Sequence, residues 1–153
     1  MNSKFLIPIV ALSLILLMGI YFLVNPSYEK SLKAKYYFET GDYTQALVLS
    51  KEAFALDSYN RMASTITAQS ITSLKYVKYI EGAKTYMKDI DEIATHEYIS
   101  DADKAKIRMI CEIMTGTYIK LAPSVITDKE LVKESAMFYE KFEKLLEKVN
   151  SKT

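Results

Sequence analysis

Cysteine, histidine and tryptophan are nearly missing from this 153-residue chain, which has one cysteine, one histidine and no tryptophan. The lone Cys111 excludes an internal disulfide framework. With His96 as the only imidazole, the chain lacks the three or four ligands of a zinc site. Only four glycines are present, and none belongs to a glycine-rich phosphate-binding loop. An excess of one charge is missing too, with 20 Lys and Arg against 19 Asp and Glu. Such a chain has no basic face to displace the counterions of nucleic acid, so nucleic acid is excluded as a partner. A polybasic lipid-binding surface is excluded for the same reason. From Ser27 onward no strand-like alternation persists beyond a few residues, whereas apolar residues three and four apart are frequent. The fold class is all-α.

Residues 5–24, FLIPIVALSLILLMGIYFLV, contain no charge. As a helix rising about 1.5 Å per residue they span roughly 30 Å, the thickness of a bilayer's hydrocarbon. Three readings compete for this run: a retained transmembrane helix, a cleaved secretory signal, and a buried helix of a soluble domain. Signals have a shorter apolar region and small residues before the cut, but this run ends in Leu23, Val24, Asn25 and Pro26. No cysteine follows for lipid attachment. The expectation is a single-pass anchor over 5–24 behind a short tail, 1–4. Pro8 is expected in its first turn, where a missing N–H has no helical partner, and Pro26 closes it. The amino-terminal flank carries only Lys4, against Lys30, Lys33 and Lys35 beyond the run. Those three alternate with Glu29 and Glu39 in a segment expected to fold, and long domains translocate largely regardless of charge. The soluble domain is therefore expected outside the cytoplasm, in the periplasm of a Gram-negative cell.

The periodicity predicts helices over about 27–40, 43–56, 60–74, 76–95, 101–121 and 128–149. Gly41 suits the left-handed residue that ends the first. At the next corner Asp57, Ser58 and Asn60 turn the chain with side chains that hydrogen-bond their own backbone. Ser100 and Asp101 offer caps to the fifth helix, with Asp101 and Asp103 near the positive end of its dipole. Pro123 stops that helix, and Thr127 with Glu130 has the spacing of a capping box for the last. Short connections force antiparallel neighbours, which gives three successive hairpins over 25–57, 58–97 and 98–150 and a tail, 151–153.

In the first hairpin, small Ala34 and Ala46 stand where two helices must cross closely, with large Tyr37 and Tyr43 beside them and Ala53 and Leu56 completing the second helix. Together with "GDYTQAL" at 41–47, "AFALD" at 53–57 and Asn60, this hairpin resembles the tetratricopeptide repeat. Lys30, Lys33, Ser50 and Ser58 depart from that family's pattern. Ala68 stands 34 residues after Ala34, the period of one further unit. The second helix of that unit is expected to slip by two residues, with Tyr79, Gly82, Ala83 and Tyr86 in the places of Tyr43, Ala46, Leu47 and Ser50. The third hairpin, with Ile107, Ile110, Cys111 and Met114 on one face, is a degenerate or capping unit. The resemblance implies about three hairpins stacked as a short α-solenoid, behind the N-terminal transmembrane helix read from the uncharged run.

No residue set points to catalysis. The His-Glu pair at 96 and 97 is similar to the start of a zinc-protease helix motif, but Ser100 replaces the second histidine. Cys111 reads as a small apolar core residue. The acidic pairs at Asp89 with Asp91 and Glu92, and at Glu140 with Glu143, read as solvated helix faces, and EKFEKLLEK at 140–148 has opposite charges at the spacing that supports an exposed helix. Neither an enzyme nor a bound cofactor or metal is expected.

The family resemblance implies a concave groove for a partner's peptide or helix, lined by the first helix of each unit. Helical phase places Tyr28, Ser31, Lys35 and Phe38 there from the first unit, Met62, Thr65, Gln69 and Thr72 from the second, and Arg108, Glu112 and Thr115 from the third. This set lacks most of the lysine, asparagine and arginine combination with which the family grips a terminal carboxylate. The alternative for these positions is an ordinary solvated polar face. The tyrosine-rich run 75–90, KYVKYIEGAKTYMKDI, puts Tyr79 and Tyr86 on one face with Ala83, expected to be mostly core, with Tyr76 partly aside. The expected function is a membrane-anchored protein-interaction scaffold or tether. The alternative is a structural bundle that self-associates through the KFEKLLEKV tail, a homo-oligomer.

Overall fold

The computed structural model describes residues 3–124 and 127–151. Of the expected tails, residues 1–2 and 152–153 fall outside them, while Ser3, Lys4 and Ser151 are already helical. Every regular element among the described residues is an α-helix: α1 (Ser3–Val24), α2 (Pro26–Glu39), α3 (Tyr43–Leu56), α4 (Arg61–Ala94), α5 (Asp101–Ile119) and α6 (Lys129–Ser151). The chain divides into two compact units, Met1–Ile71 and Thr72–Thr153.

The α2–α3 corner of the first unit follows from three residues. The N–H of Gly41 bonds to the Phe38 carbonyl at 3.2 Å and the N–H of Asp42 to that of Tyr37 at 2.9 Å, the paired bonds that finish a helix whose next residue is left-handed. Gly41 takes φ +86°, which only glycine adopts without strain. Asp42 then accepts from the Gln45 N–H at 2.9 Å and starts α3. Likewise Asn25 caps α2, with Pro26 in the first position where no N–H is needed.

Small side chains line the seam between these helices. Ser27, Ser31 and Ala34 on α2, and Ala46, Ser50 and Ala53 on α3, are all buried, with the same four-then-three spacing in each helix. Such residues let two backbones approach closely. Ala34 and Ala46 meet Ile66 of α4 in one apolar cluster, with Tyr37, Phe38, Leu49 and Met62 packed around it. The close crossing read from the two alanines is therefore present. Leu56, expected to complete α3, is exposed.

The expected second hairpin, 58–97, does not form. Instead of helices at 60–74 and 76–95, α4 runs unbroken over 34 residues. The stretch Ser73-Leu74-Lys75-Tyr76-Val77 holds no glycine or proline to end one helix before another begins. Ala68 is exposed where its counterpart Ala34 is fully buried. Tyr79, Gly82, Ala83 and Tyr86 belong to α4 and not to a separate second helix. A one-residue period match without a turn signal was too little to define a unit.

The second unit packs the later part of α4 with α5 and α6. Tyr79, Ile80, Ala83, Ile90 and Ile93 meet Ile107, Ile110, Cys111 and Met114 of α5 and the fully buried Phe142 of α6. Tyr76, expected partly aside, is also buried. Ser100 opens α5 with a reciprocal box: its Oγ accepts from the Asp103 N–H at 3.1 Å, and Asp103 Oδ2 accepts from the Ser100 N–H at 3.1 Å. The box expected from Thr127 and Glu130 is absent. Asp128 Oδ1 accepts from the Glu130 N–H at 2.8 Å, one residue closer to α6, while Thr127 Oγ1 accepts from the Ser124 N–H at 2.9 Å and holds the loop.

Pro8 lies further inside α1 than expected, because the helix begins at Ser3. Among the described residues no single helix is long and apolar enough to cross a membrane. One pair, Leu6–Tyr21 with Pro26–Glu39, meets length and composition together, with a 71° bend between its members.

Candidate interaction surfaces

The positions expected to line a groove divide between the two units. In the first, Ser31 does not belong to an open face. It is fully buried, donates to the Ser27 carbonyl at 2.9 Å and accepts from Asn60 Nδ2 at 2.8 Å. Phe38 and Met62 are half-buried and pack on the Ala34–Ala46–Ile66 cluster, so both support the seam. Phe38 also meets Tyr43 edge-to-face, with ring centroids 5.3 Å apart. Tyr28 and Gln69 are half-buried, and Lys35 and Thr65 are exposed, with Lys35 3.6 Å from Glu39. Lys35 and Thr65 are thus what the first unit leaves open from the expected set.

In the second unit Thr72 is half-buried and Glu112 exposed. Arg108 Nε donates to Asn150 Oδ1 at 2.8 Å, which ties α5 to α6. Thr115 Oγ1 donates to the Cys111 carbonyl at 2.8 Å, within its own helix.

Asn60 organises the first unit in a way that the sequence hinted at only as turn chemistry. Its Oδ1 accepts from the Ala63 N–H at 3.1 Å and caps α4. Its Nδ2 donates to the hydroxyls of both Ser27 and Ser31 at 2.8 Å, and the Ser27 hydroxyl in turn donates to the Ala53 carbonyl of α3 at 2.8 Å. One amide therefore links three helices. Its acceptor and donor ends are both used inside a buried site, the condition under which such a network is stabilising.

The second unit holds a feature that division into hairpins obscured. An open cleft of about 550 Å³ lies between α4 and α5. Lys75, Lys78 and Gly82 come from one face of α4, Ile113 and Thr117 from one face of α5, and Lys120 from the residue that caps its end. Read as one helix, residues 75, 78, 82 and 86 share a face by spacing alone, and that signal was present in the sequence. Across the floor, Tyr79 and Tyr118 have ring centroids 5.8 Å apart, and Tyr118 stacks on Tyr139 at 4.5 Å. The Tyr139 hydroxyl donates to Glu143, which holds its pKa above the usual phenol value. Burial pushes the Tyr79 phenol up as well, and its buried hydroxyl has no hydrogen-bond partner among the described residues.

The two residues singled out for possible chemistry are placed quietly. Cys111 is fully buried in the core, where burial raises its thiol pKa to about 11. Such a thiol is protonated and unreactive at neutral pH. His96 is half exposed just beyond α4, with Nδ1 3.8 Å from Asp103 Oδ2. Hydrogen bonds from Ser100 hold the Asp103 carboxyl below its usual range. Among the described residues no three of His, Cys, Asp and Glu converge to hold a metal ion.

Comparison with models of known protein families, with curated proteins and with solved structures found no match.

Proposed function

We propose that this chain is a single-pass, membrane-anchored protein-interaction module, a scaffold or tether without catalytic activity of its own. The observation that carries this reading is the uncharged run 5–24, whose described residues form a helix with its large apolar side chains outward. Leu6, Ile9, Leu12, Leu16 and Ile20 are all exposed, as are Ile7, Leu14 and Leu17 on other sides of the rod. A helix apolar all round with these side chains left exposed suits hydrocarbon and not water. The tetratricopeptide-like α2–α3 hairpin, with its small-residue seam, supports the interaction half of the reading, because a hairpin of this kind offers a partner a rigid helix face.

Anchoring confines the folded units to the bilayer surface and raises their effective concentration toward partners held there, so a modest intrinsic affinity suffices. The domain lies outside the cytoplasm in this reading. The self-association alternative is less favoured in this reading, since Phe142 is buried and Leu145, Leu146 and Val149 of the KFEKLLEKV tail pack partly against the same core.

Two measurements test the proposal. A reporter that is active on one side of the membrane only, fused at Thr153, is expected to report from outside the cytoplasm. Crosslinking in cells, with and without residues 1–25, is expected to give a defined partner whose yield falls when the anchor is removed. A chain recovered from the soluble fraction at full length, crosslinked to nothing, sinks the reading.

A further inference from the structure

We propose that the α4–α5 cleft of the second unit receives an acidic amphipathic helix from another protein. The cleft is distinct from the expected groove and involves none of its residues. Its chemistry is graded along its length. Tyr79 meets Tyr118, while Ile90 and Ala94 further along α4 lie with Lys104 and Ile107, so the two helices run antiparallel and Lys75 and Lys78 of α4 lie at the same end as Lys120, just past α5. That end carries three ammonium groups, while Tyr86, Ile113 and Met114 make the other end apolar. No acidic residue lines the cleft. The three lysine side chains have no ion-pair or hydrogen-bond partner among the described residues. Three unpaired cations around one apolar opening select an anionic occupant.

The occupant's apolar side and its shape follow from other observations. Ile113 is 49% exposed, and Met109, one turn before it on α5, is 57% exposed. The open apolar surface therefore continues beyond the cleft, further than a small molecule in an opening of about 550 Å³ covers. Gly82 in α4 and Gly116 in α5 have nothing within 4 Å of where a Cβ would stand, so both backbones are bare toward open space. Glycine inside a helix weakens it, and neither position is explained by crowding within the chain. The bare backbone at Gly82, in the cleft lining, leaves room for another helix to settle there, with leucine-type anchors on Ile113 and Met109 and carboxylates on the lysines. At the floor, the Tyr79 hydroxyl is buried and unpartnered, a polar group whose hydrogen bond the chain itself does not supply.

A second copy of this chain is a poor occupant. Its α1 carries no acidic side chain, and the apolar face of α6 is already packed in its own core. The occupant is a different protein.

The test uses the full chain in nanodiscs of zwitterionic lipid and a fluorescein-labelled helical peptide of about 18 residues, with leucines along one face and glutamates along the other. Anisotropy is expected to show saturable binding that weakens severalfold between about 0.05 and about 0.5 M salt. Simultaneous Lys75→Glu, Lys78→Glu and Lys120→Glu is expected to weaken binding at least about tenfold. Gly82→Leu, which fills the cleft, is expected to do the same, whereas Gly82→Ala keeps binding within about threefold and shows that a helix-compatible change is harmless. A matched peptide with lysines for glutamates is expected not to bind. The proposal is overturned by absence of saturable binding, by equal binding of the lysine peptide, or by charge-reversed and Gly82→Leu chains that keep their circular dichroism and bind as before. It is also overturned if the three lysines affect only association with nanodiscs containing anionic lipid, which makes the surface a membrane contact.

Discussion

Asn60 Nδ2 lies 2.8 Å from Ser27 Oγ, so the residue that caps α4 is tied to the first turn of α2, 33 positions earlier. The same amide group also holds Ser31, and both hydroxyls are buried. Asn60→Ala removes the α4 cap and leaves two buried hydroxyls without their donor. The expected loss is about 2–3 kcal/mol, summing a lost cap and two modest hydrogen bonds. Urea unfolding followed by circular dichroism checks it. A loss below about 0.5 kcal/mol means that the clasp does not hold the three helices together.

Ala34 and Ala46 admit nothing larger. Both are fully buried at the α2–α3 seam, so Ala34→Leu or Ala46→Leu forces the helices apart or the side chain into a strained rotamer. Each is expected to cost about 1–3 kcal/mol, and Lys51→Leu, on the exposed side of α3, is expected to cost far less. Thermal melts of the three variants, measured side by side, separate seam from surface.

The features legible in the sequence were those that depend on near neighbours. Gly41 with Asp42 announced a turn, Ser100 announced the start of α5, and the spacing of Ala34 from Ala46 announced a close crossing. Each is fixed by a residue whose backbone preference or size decides the outcome locally. What depended on distant partners was less readable. Ser31 has the helical phase of a groove residue, and only the arrival of Asn60 from 29 positions away buries it. Phe38 and Met62 look like free anchors until the seam they flank is assembled. The unbroken α4 follows from near neighbours too, since the stretch around Lys75 holds no glycine or proline, and that local chemistry outweighs a repeat period of one matching residue.

Two glycines are expected to respond in opposite directions. Gly41 holds φ +86°, so Gly41→Ala places a Cβ in the left-handed region and is expected to cost about 1–2 kcal/mol. Gly82 sits inside α4 with open space around the new methyl, so Gly82→Ala is expected to gain about 0.5–1 kcal/mol. Melting temperatures that fall for the first and rise for the second are the predicted pair.

Alkaline pH is expected to loosen the second unit through its buried acids. The Cys111 thiol rises from an ordinary 9.0 to about 11, because burial disfavours the thiolate, and burial raises the Tyr79 phenol as well. Below pH 9 the folded and unfolded chains both keep the Cys111 proton, and the stability from this group is fully present. As pH rises from 9 toward 11 the unfolded chain ionises first, and stability falls by up to about 1.4 kcal/mol per pH unit for each such group. Cys111→Ala and Tyr79→Phe are expected to flatten that decline. Tyr79→Phe has a second consequence, since a hydroxyl with no partner contributes nothing to the fold. It is expected to leave stability at neutral pH unchanged or slightly higher. A unit that is equally stable at pH 8 and pH 10.5, to within about 0.5 kcal/mol, contradicts the burial of both groups.

The continuity of α4 is open to a single decisive substitution. Were residues 73–77 a turn between two helices, a proline at position 75 would be tolerated, because turns need no N–H there and accept the fixed φ. In an unbroken helix the same proline removes a backbone hydrogen bond and presses its ring on the carbonyl four residues back, at a cost of about 3 kcal/mol or more. Lys75 is exposed and unpaired, so the side chain itself contributes little, and Lys75→Ala serves as the matched control. The core formed by Ile80, Ile90 and Ile93 on the later part of α4 depends on the rod beginning upstream of them. Lys75→Pro is therefore expected to lower helical ellipticity at 222 nm and the melting temperature sharply. Lys75→Ala is expected to leave both unchanged or slightly raised. A proline chain as helical and as stable as the alanine chain restores the hairpin over 58–97 and removes the cleft between α4 and α5 along with it.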